Sequence, residues 1–413
     1  MKVLYLVHQF YPDYYTGTEK FLLELAKGAQ RLGHQVKVVS YSSRSPRSFA
    51  REEFGVFSQD FIYEGVPVKY LKLHQSSAEP INDLRPGRML EFARQILAIE
   101  KPDLVHAAHP MDVSDFIHAA REANIPYLLT LTDFFLLCPK YTLMTSANTL
   151  CAGPEQGTAC STLCPELENS VIRRRLKNTS DLLSHAHQVI APSKFLGEVF
   201  QKEYGSLKVK RIGYGVNYSR IRRNHKQYRK GDKLTFLFAG TFIRHKGPHL
   251  LAEAFKMVAG EAELRMHGSG PYEHLLNRSA KEDVRIKLPG VFSPTEIGEV
   301  LSQIDVVVVP SIWYENTPII LLEALAANVP AIVTDLYGMT EVLDDGVNGR
   351  TFPIGDVAQL CNVMQSLVDT PETLNYYKEN LKNRFIPTTE QIALAYEREY
   401  LSALSNHRSR ELN

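Results

Sequence analysis

The chain has 413 residues, 44% of them hydrophobic and 23% charged, with 47 Lys and Arg against 46 Asp and Glu. That length exceeds one ordinary core, so two domains are the default. A net charge of +1 argues against a nucleic-acid binder, and no apolar run approaches the ~18 residues of a membrane span.

Met1 to His8 carries too few apolar residues for a signal-peptide core, so Val3 to Val7 reads as a first strand and a cytoplasmic chain is expected. A loop with Pro12, Thr16 and Gly17 follows. Apolar residues from Phe21 to Leu32 recur at helical spacing, Gly33 closes that helix, and Val36 to Val39 is the next strand. The unit is Rossmann-like but lacks G-x-G-x-x-G. Further strands are Leu104–His106, ending near His109; Tyr127–Leu131, ending at Thr132-Asp133; and Val189–Ala191, ending at Ser193. Ligands of open α/β sheets bind beyond the C-terminal strand ends, so Gly17, His109, Asp133 and Ser193 should gather at one edge.

Five cysteines cannot form a complete disulfide set, and four of them, Cys138, Cys151, Cys160 and Cys164, cluster in sequence. Cys160 and Cys164 have tolerable zinc spacing, so a structural zinc site, a redox-labile cluster and plain reduced thiols are all open. The region Lys140 to Pro165 is long for a structureless loop and is expected to be functional. Arg173 to Lys177 places four basic residues in five, and Lys208–Arg211 and Ser219–Lys230 are also basic. These stretches read as solvated faces or as a docking surface for anionic lipid.

A second β/α series begins after Lys233. Leu234–Ala239 is a strand ending in the Gly240 turn, and His245-Lys246-Gly247-Pro248 opens a helix. Val284 to Leu288 leads into Gly290-Val291-Phe292. Val306–Val309 is a buried parallel strand stopped by Pro310. Pro318 then suits the start of a helix from Ile319, with Glu315 in the loop and Glu323 eight residues on. Orphan N–H groups within the stretch Asn316 to Ile319, Pro318 itself having none, and the positive dipole end there suit a phosphate. Ile386 to Leu404 reads as a final amphipathic helix.

Two glutamates separated by seven residues at a strand-to-helix junction resemble the retaining nucleotide-sugar glycosyltransferases of the GT-B fold, the large sucrose-synthase-like family (glycosyltransferase group 1). The match runs through T-G-T-E near Gly17, L-G-H-Q-V, A-P-S at Ser193, and Tyr214-Gly215-Val216-Asn217. The resemblance implies two Rossmann-like β/α/β domains facing across a cleft: residues 1–212 on the acceptor side, 213–385 binding the nucleotide sugar, and a helix at 386–413 returning to the first domain. It assigns donor contacts to Gly17, Gly240, Arg244, Val291, Phe292, Asn316–Ile319 and Glu323, with Glu323 on the ribose and Val291 and Phe292 at the nucleobase. Lys246, Glu315 and Asp133 are the expected catalytic groups, with His109 and Ser193 on the acceptor side.

Relatives often carry His where this chain has Thr132, and Arg where it has Thr241. His109 and Arg244 are the candidate replacements. No Asp-x-Asp stands at a β/α junction, so no divalent ion is implied, and the donor is a nucleoside diphosphate sugar without a further cofactor. The acceptor is expected to be a glycan or a lipid-linked glycan, met at the inner face of a membrane. The alternatives are an impaired sugar-nucleotide binder or a nucleotide-sugar epimerase on the same frame.

Overall fold

The computed structural model describes residues 1–74 and 84–411. The chain divides into two compact units, Met1–Tyr214 with the stretch from Thr389 onward, and Gly215–Thr388.

The first unit holds strands β1 (Lys2–Val7), β2 (Gln35–Tyr41), β3 (Arg51–Glu53), β4 (Val56–Tyr63), β5 (Val66–Leu73), β6 (Leu104–Ala107), β7 (Tyr127–Thr130), β8 (Gln188–Ala191) and β9 (Val209–Arg211). They form one sheet in the order β3-β4-β5-β2-β1-β6-β7-β8-β9. The β3–β4 and β4–β5 pairs are antiparallel and the rest are parallel. Val3 to Val7 has no exposed residue, as expected of a strand covered on both faces. The connecting helices are α1 (Gly17–Arg31), α2 (Leu90–Glu100), α3 (Asp115–Glu122), α4 (Thr158–Leu163), α5 (Asn169–His185) and α6 (Lys194–Glu203). β1 pairs with β2 on one side and β6 on the other, so the chain changes direction across the sheet between β1 and β6.

The second unit has strands β10 (Leu234–Ala239), β11 (Ala262–His267), β12 (Ile286–Lys287), β13 (Val306–Val309), β14 (Ala331–Thr334) and β15 (Gly349–Phe352). Their order is β12-β11-β10-β13-β14-β15, all parallel. Helices α7 (Pro248–Lys256), α8 (Glu273–Glu282), α9 (Ile297–Ser302), α10 (Ile319–Ala326), α11 (Val357–Asp369) and α12 (Thr373–Lys382) complete it. Its core joins Phe236, Phe255, Leu264, Val306, Val308 and Leu360, and each such buried side chain contributes roughly 1.5–3 kcal/mol. The direction change falls between β10 and β13, which places their following loops side by side.

The last helix, α13 (Thr389–Glu411), belongs to the first unit. It starts later than Ile386 because Pro387 holds that stretch extended, and Val216 pairs with Thr388 instead. Ile392, Tyr396, Tyr400 and Ala403 form its buried face. The Tyr400 hydroxyl lies 3.3 Å from that of Tyr5 and 2.8 Å from His106 Nδ1. His106 Nε2 meets Thr130 Oγ1 at 2.7 Å, and Tyr396 meets the same oxygen at 3.1 Å. This buried polar chain fixes the helix against β1, β6 and β7.

Candidate active site

Lys246 and Glu315 sit at the direction change of the second unit. Lys246 ends a single 3₁₀ turn, Arg244–Lys246, rather than opening α7, which starts at Pro248. Between them Gly247 has φ +69°, and a Cβ there would lie 2.0 Å from the Pro310 carbonyl oxygen. Only glycine permits that approach, so the β10 loop is pressed against the end of β13. A second such contact supports Glu315 from the other side. Gly338 has φ +87°, and its Cβ would lie 2.0 Å from the Glu315 carbonyl oxygen.

Lys246 Nζ donates to Glu315 Oε1 at 2.7 Å, and Ser311 Oγ and Trp313 Nε1 donate to the same oxygen at 2.6 and 2.8 Å. Burial works to raise the Glu315 pKa. The Lys246 charge and the three hydrogen bonds together outweigh it and hold the carboxyl below its usual range. Glu315 is therefore an ionised acceptor in a nearly closed setting. The Lys246 ammonium also stands 4.8 Å from the centre of the Trp313 ring, and the His245 ring lies 4.5 Å from that ring. Burial, followed by the Lys246 charge, pushes His245 down to about 4, so it is neutral at pH 7.

Pro318 is the residue before α10, with Leu321 N–H donating to its carbonyl at 3.0 Å. Thr317 and Glu323 are buried, whereas Asn316 and Ile319 are half-buried. Glu323 stands in the second turn of α10. Gly240 closes β10 with its N–H on the His267 carbonyl at 3.0 Å, and Arg244 and Thr241 are exposed. Val291 is exposed, and the Phe292 ring meets the His267 ring edge-on at 5.2 Å. Gly240 to Arg244, Val291, Phe292 and Asn316 to Pro318 come from the loops that follow β10, β12 and β13, and Ile319 and Glu323 from α10.

In the first unit the corresponding edge collects His8 after β1, His109 after β6, Asp133 after β7 and Ser193 after β8. His109 Nε2 lies 3.0 Å from Asp133 Oδ2, and its ring is 3.9 Å from that of His8. Asp133 Oδ1 accepts from Phe135 N–H at 2.8 Å. Gly17 opens α1. Two residues on, Glu19 is fully buried, with Oε2 accepting from Thr16 N–H and Oγ1 at 2.7 and 2.6 Å. Ser193 is 1% exposed and its hydroxyl accepts from Leu196 N–H at 3.2 Å, which is the work of a helix cap. Thr132 donates to the Ala108 carbonyl at 3.1 Å.

The family description "Glycosyltransferase Family 4" matches residues 15–220, and "Glycosyl transferases group 1" matches residues 220–384. The chain belongs to the group 1 glycosyltransferases. O-antigen chain mannosyltransferase C of Escherichia coli is 23% identical over 413 residues, covering 98% of this chain and 100% of that one. Phosphatidyl-myo-inositol mannosyltransferase of Mycobacterium leprae is 30% identical over 138 residues, covering 32% of this chain and 37% of its own length. Among solved structures, sucrose-phosphate synthase from Thermosynechococcus elongatus superposes with a TM-score of 0.73 at 16% identity, covering 98% of this chain and 99% of that one. The Anabaena protein HepE, in complex with UDP and glucose, superposes with a TM-score of 0.69 at 16% identity, covering 97% and 100%. These likenesses establish the GT-B fold with its two Rossmann-like domains.

Two expectations for this glycosyltransferase need correction. The first concerns zinc. Cys138, Cys151, Cys160 and Cys164 are free thiols, and among the described residues no group of three or more His, Cys, Asp or Glu side chains is arranged to hold a metal ion. Burial raises the pKa of Cys138 and Cys151 and pushes Cys160 up to about 12, so these thiols are protonated in the chain by itself.

The second concerns the basic cluster. Arg173, Arg174 and Lys177 are exposed, but Arg175 is 1% exposed. Arg175 donates from Nη2 to the Phe135 carbonyl, and its guanidinium lies 4.6 Å from the Phe135 ring centre. It braces the segment that follows Asp133. Helical spacing carried this signal, because Ile172, Arg175, Leu176 and Thr179 share the buried face of α5. Among the other basic stretches, Lys210 pairs with Glu399 at 2.6 Å and Lys226 with Asp305 at 2.9 Å.

Sequence reasoning also passed over Trp313, Ser311, His245 and His8. A single tryptophan two residues before the first glutamate was an available signal. His8 carried none, because its value depends on lying beside His109.

Proposed function

We propose that this glycosyltransferase moves a hexosyl group from a nucleoside diphosphate hexose to a glycan or lipid-linked acceptor, with retention of anomeric configuration. The observation that carries this reading is the Lys246–Glu315 pair, 2.7 Å apart and close to the N-terminus of α10. Transfer breaks the bond between the anomeric carbon and the diphosphate oxygen and forms one to an acceptor hydroxyl. Charge grows on the departing diphosphate. Lys246, Arg244 and the N–H groups of Asn316, Thr317 and Ile319 neutralise it without a metal in this reading. Ionised Glu315 accepts from hydroxyls of the hexose, and Glu323 from the ribose. Val291 and Phe292 line the nucleobase position.

On the first unit, Asp133 and His109 act on the acceptor side, with His109 standing in for the histidine that Thr132 replaces. The mannosyltransferase names of relatives and the UDP of the Anabaena neighbour make GDP-mannose and UDP-glucose the first donors to test. A lipid-linked acceptor would place the chain at a membrane surface, with Arg173, Arg174 and Lys177 facing anionic lipid. Among the described residues no helix is long and apolar enough to cross a membrane.

The test is transfer from a panel of nucleotide sugars to isolated lipid-linked glycans, with the product anomer assigned by NMR. A product of the donor's own configuration is expected. An inverted product, or neither transfer nor donor hydrolysis with any nucleotide sugar, would overturn the reading.

A further inference from the structure

Resting on the donor-site reading above, we propose that Trp313 is a positioning residue. It ties Glu315 Oε1 to the protein so that Oε2 is presented to a hydroxyl of the donor sugar. All three hydrogen bonds from Ser311, Trp313 and Lys246 land on Oε1, at 2.6, 2.8 and 2.7 Å. Oε2 takes part in none of them.

The three donors differ in kind. Lys246 is a mobile point charge that a diphosphate also attracts, so its bond to Glu315 weakens when donor arrives. The Ser311 hydroxyl rotates. The indole N–H donates only and cannot change role. Its ring is also held in place, 4.5 Å from His245 and 4.8 Å from the Lys246 ammonium. The two loops are joined directly, with Ile312 N–H donating to the His245 carbonyl at 2.8 Å.

Trp313 therefore touches both functional charges, through its N–H and through its ring face. It keeps the carboxylate aimed while Lys246 is drawn towards phosphate. A carboxylate free to turn would offer either oxygen and lose its fit to the sugar, while contacts to the nucleotide would be unaffected.

This separation gives the test. Isothermal titration of the full chain and of Trp313→Phe is carried out with UDP, UDP-glucose, GDP and GDP-mannose. Phenylalanine keeps an aromatic face and removes the N–H. For whichever pair the wild type binds, the sugar-free nucleotide should bind both proteins within about twofold, and the nucleotide sugar should weaken roughly tenfold in the variant. Ser311→Ala should show the same selective loss, smaller in size, and decides the matter if Trp313→Phe does not fold. Equal losses for nucleotide and nucleotide sugar would make Trp313 a general packing residue and overturn the proposal, as would no loss for either. A wild type that binds none of the four probes would instead remove the donor-site reading on which the proposal stands.

Discussion

Lys246 Nζ lies 2.7 Å from Glu315 Oε1, and the two residues come from loops that follow neighbouring parallel strands, β10 and β13. Each charge makes the other tolerable. The carboxylate is nearly enclosed, and Lys246 is the only full cation bonded to it among the described residues. Lys246→Ala should therefore lower turnover at least ~100-fold, more than it weakens donor binding, because the charge on the leaving diphosphate grows as the bond breaks. Steady-state kinetics with varied donor separate the two effects, and an unchanged turnover would remove Lys246 from the chemistry.

Glu323 stands in the second turn of α10, with its side chain buried. In Glu323→Ala, a lost charge-assisted bond to the ribose should cost about 1.5–3 kcal/mol of donor affinity. The same loss is expected for the nucleoside diphosphate alone, measured by calorimetry. A loss confined to the intact nucleotide sugar would move Glu323 from the ribose to the hexose.

The basic residues of α5 should separate by burial. Arg175→Ser removes the support of the Phe135 carbonyl and leaves a void under that loop, so a loss of about 3 kcal/mol in unfolding free energy is expected. Arg173→Ser with Arg174→Ser should stay within ~0.5 kcal/mol of wild type. That double variant should nonetheless reduce salt-sensitive co-sedimentation with anionic liposomes. Undiminished co-sedimentation would place any membrane contact elsewhere.

Acid should destabilise the chain in a defined window. His106 is buried and neutral, its pKa pushed down to about 3 by burial. The unfolded chain takes up a proton near the ordinary value of 6.5, so between there and about 3 it binds more protons than the folded one. Stability at this residue therefore falls as pH falls, by about 1.4 kcal/mol per pH unit. Glu315 adds a loss at lower pH. Its folded pKa is depressed, so its contribution is present above the unfolded value and disappears as pH drops through the folded one. Urea unfolding at pH 7, 6 and 5 should show a declining midpoint, and His106→Gln should flatten the decline.

The cysteines should behave as protected thiols. A thiol reagent should react slowly with the native chain, since Cys138, Cys160 and Cys164 are buried, and should release five equivalents in denaturant. A chelator should leave the melting temperature where it was. A drop of several degrees on chelation would reinstate a structural metal.

The amino-acid sequence by itself determined the two Rossmann-like series and the elements that carry the candidate site. Val306–Val309 and Leu234–Ala239 are covered on both faces, so their apolar runs needed no partner to be read as strands. Pro310 and Pro318 mark the end of β13 and the approach to α10 through backbone constraints that are local. Glu315 and Glu323 were legible for the same reason, because one loop and one helix fix their spacing. The antiparallel β3–β4–β5 stretch was not read, since Val56–Tyr63 lies towards the edge of its sheet with mixed burial and no continuous apolar run.

Only the tertiary structure decided what depends on contacts between distant segments. Trp313 and Ser311 matter because they converge on one carboxylate oxygen that also bonds Lys246, 69 residues away in sequence. His8 gains meaning from His109, which strand pairing brings alongside it. Arg175 shares the apolar helical face of Ile172 and Leu176, but its contact with the Phe135 carbonyl 40 residues away came only from the packing of α5. A charge's role depends on what surrounds it, and that environment is assembled by the sheet order rather than by the local sequence.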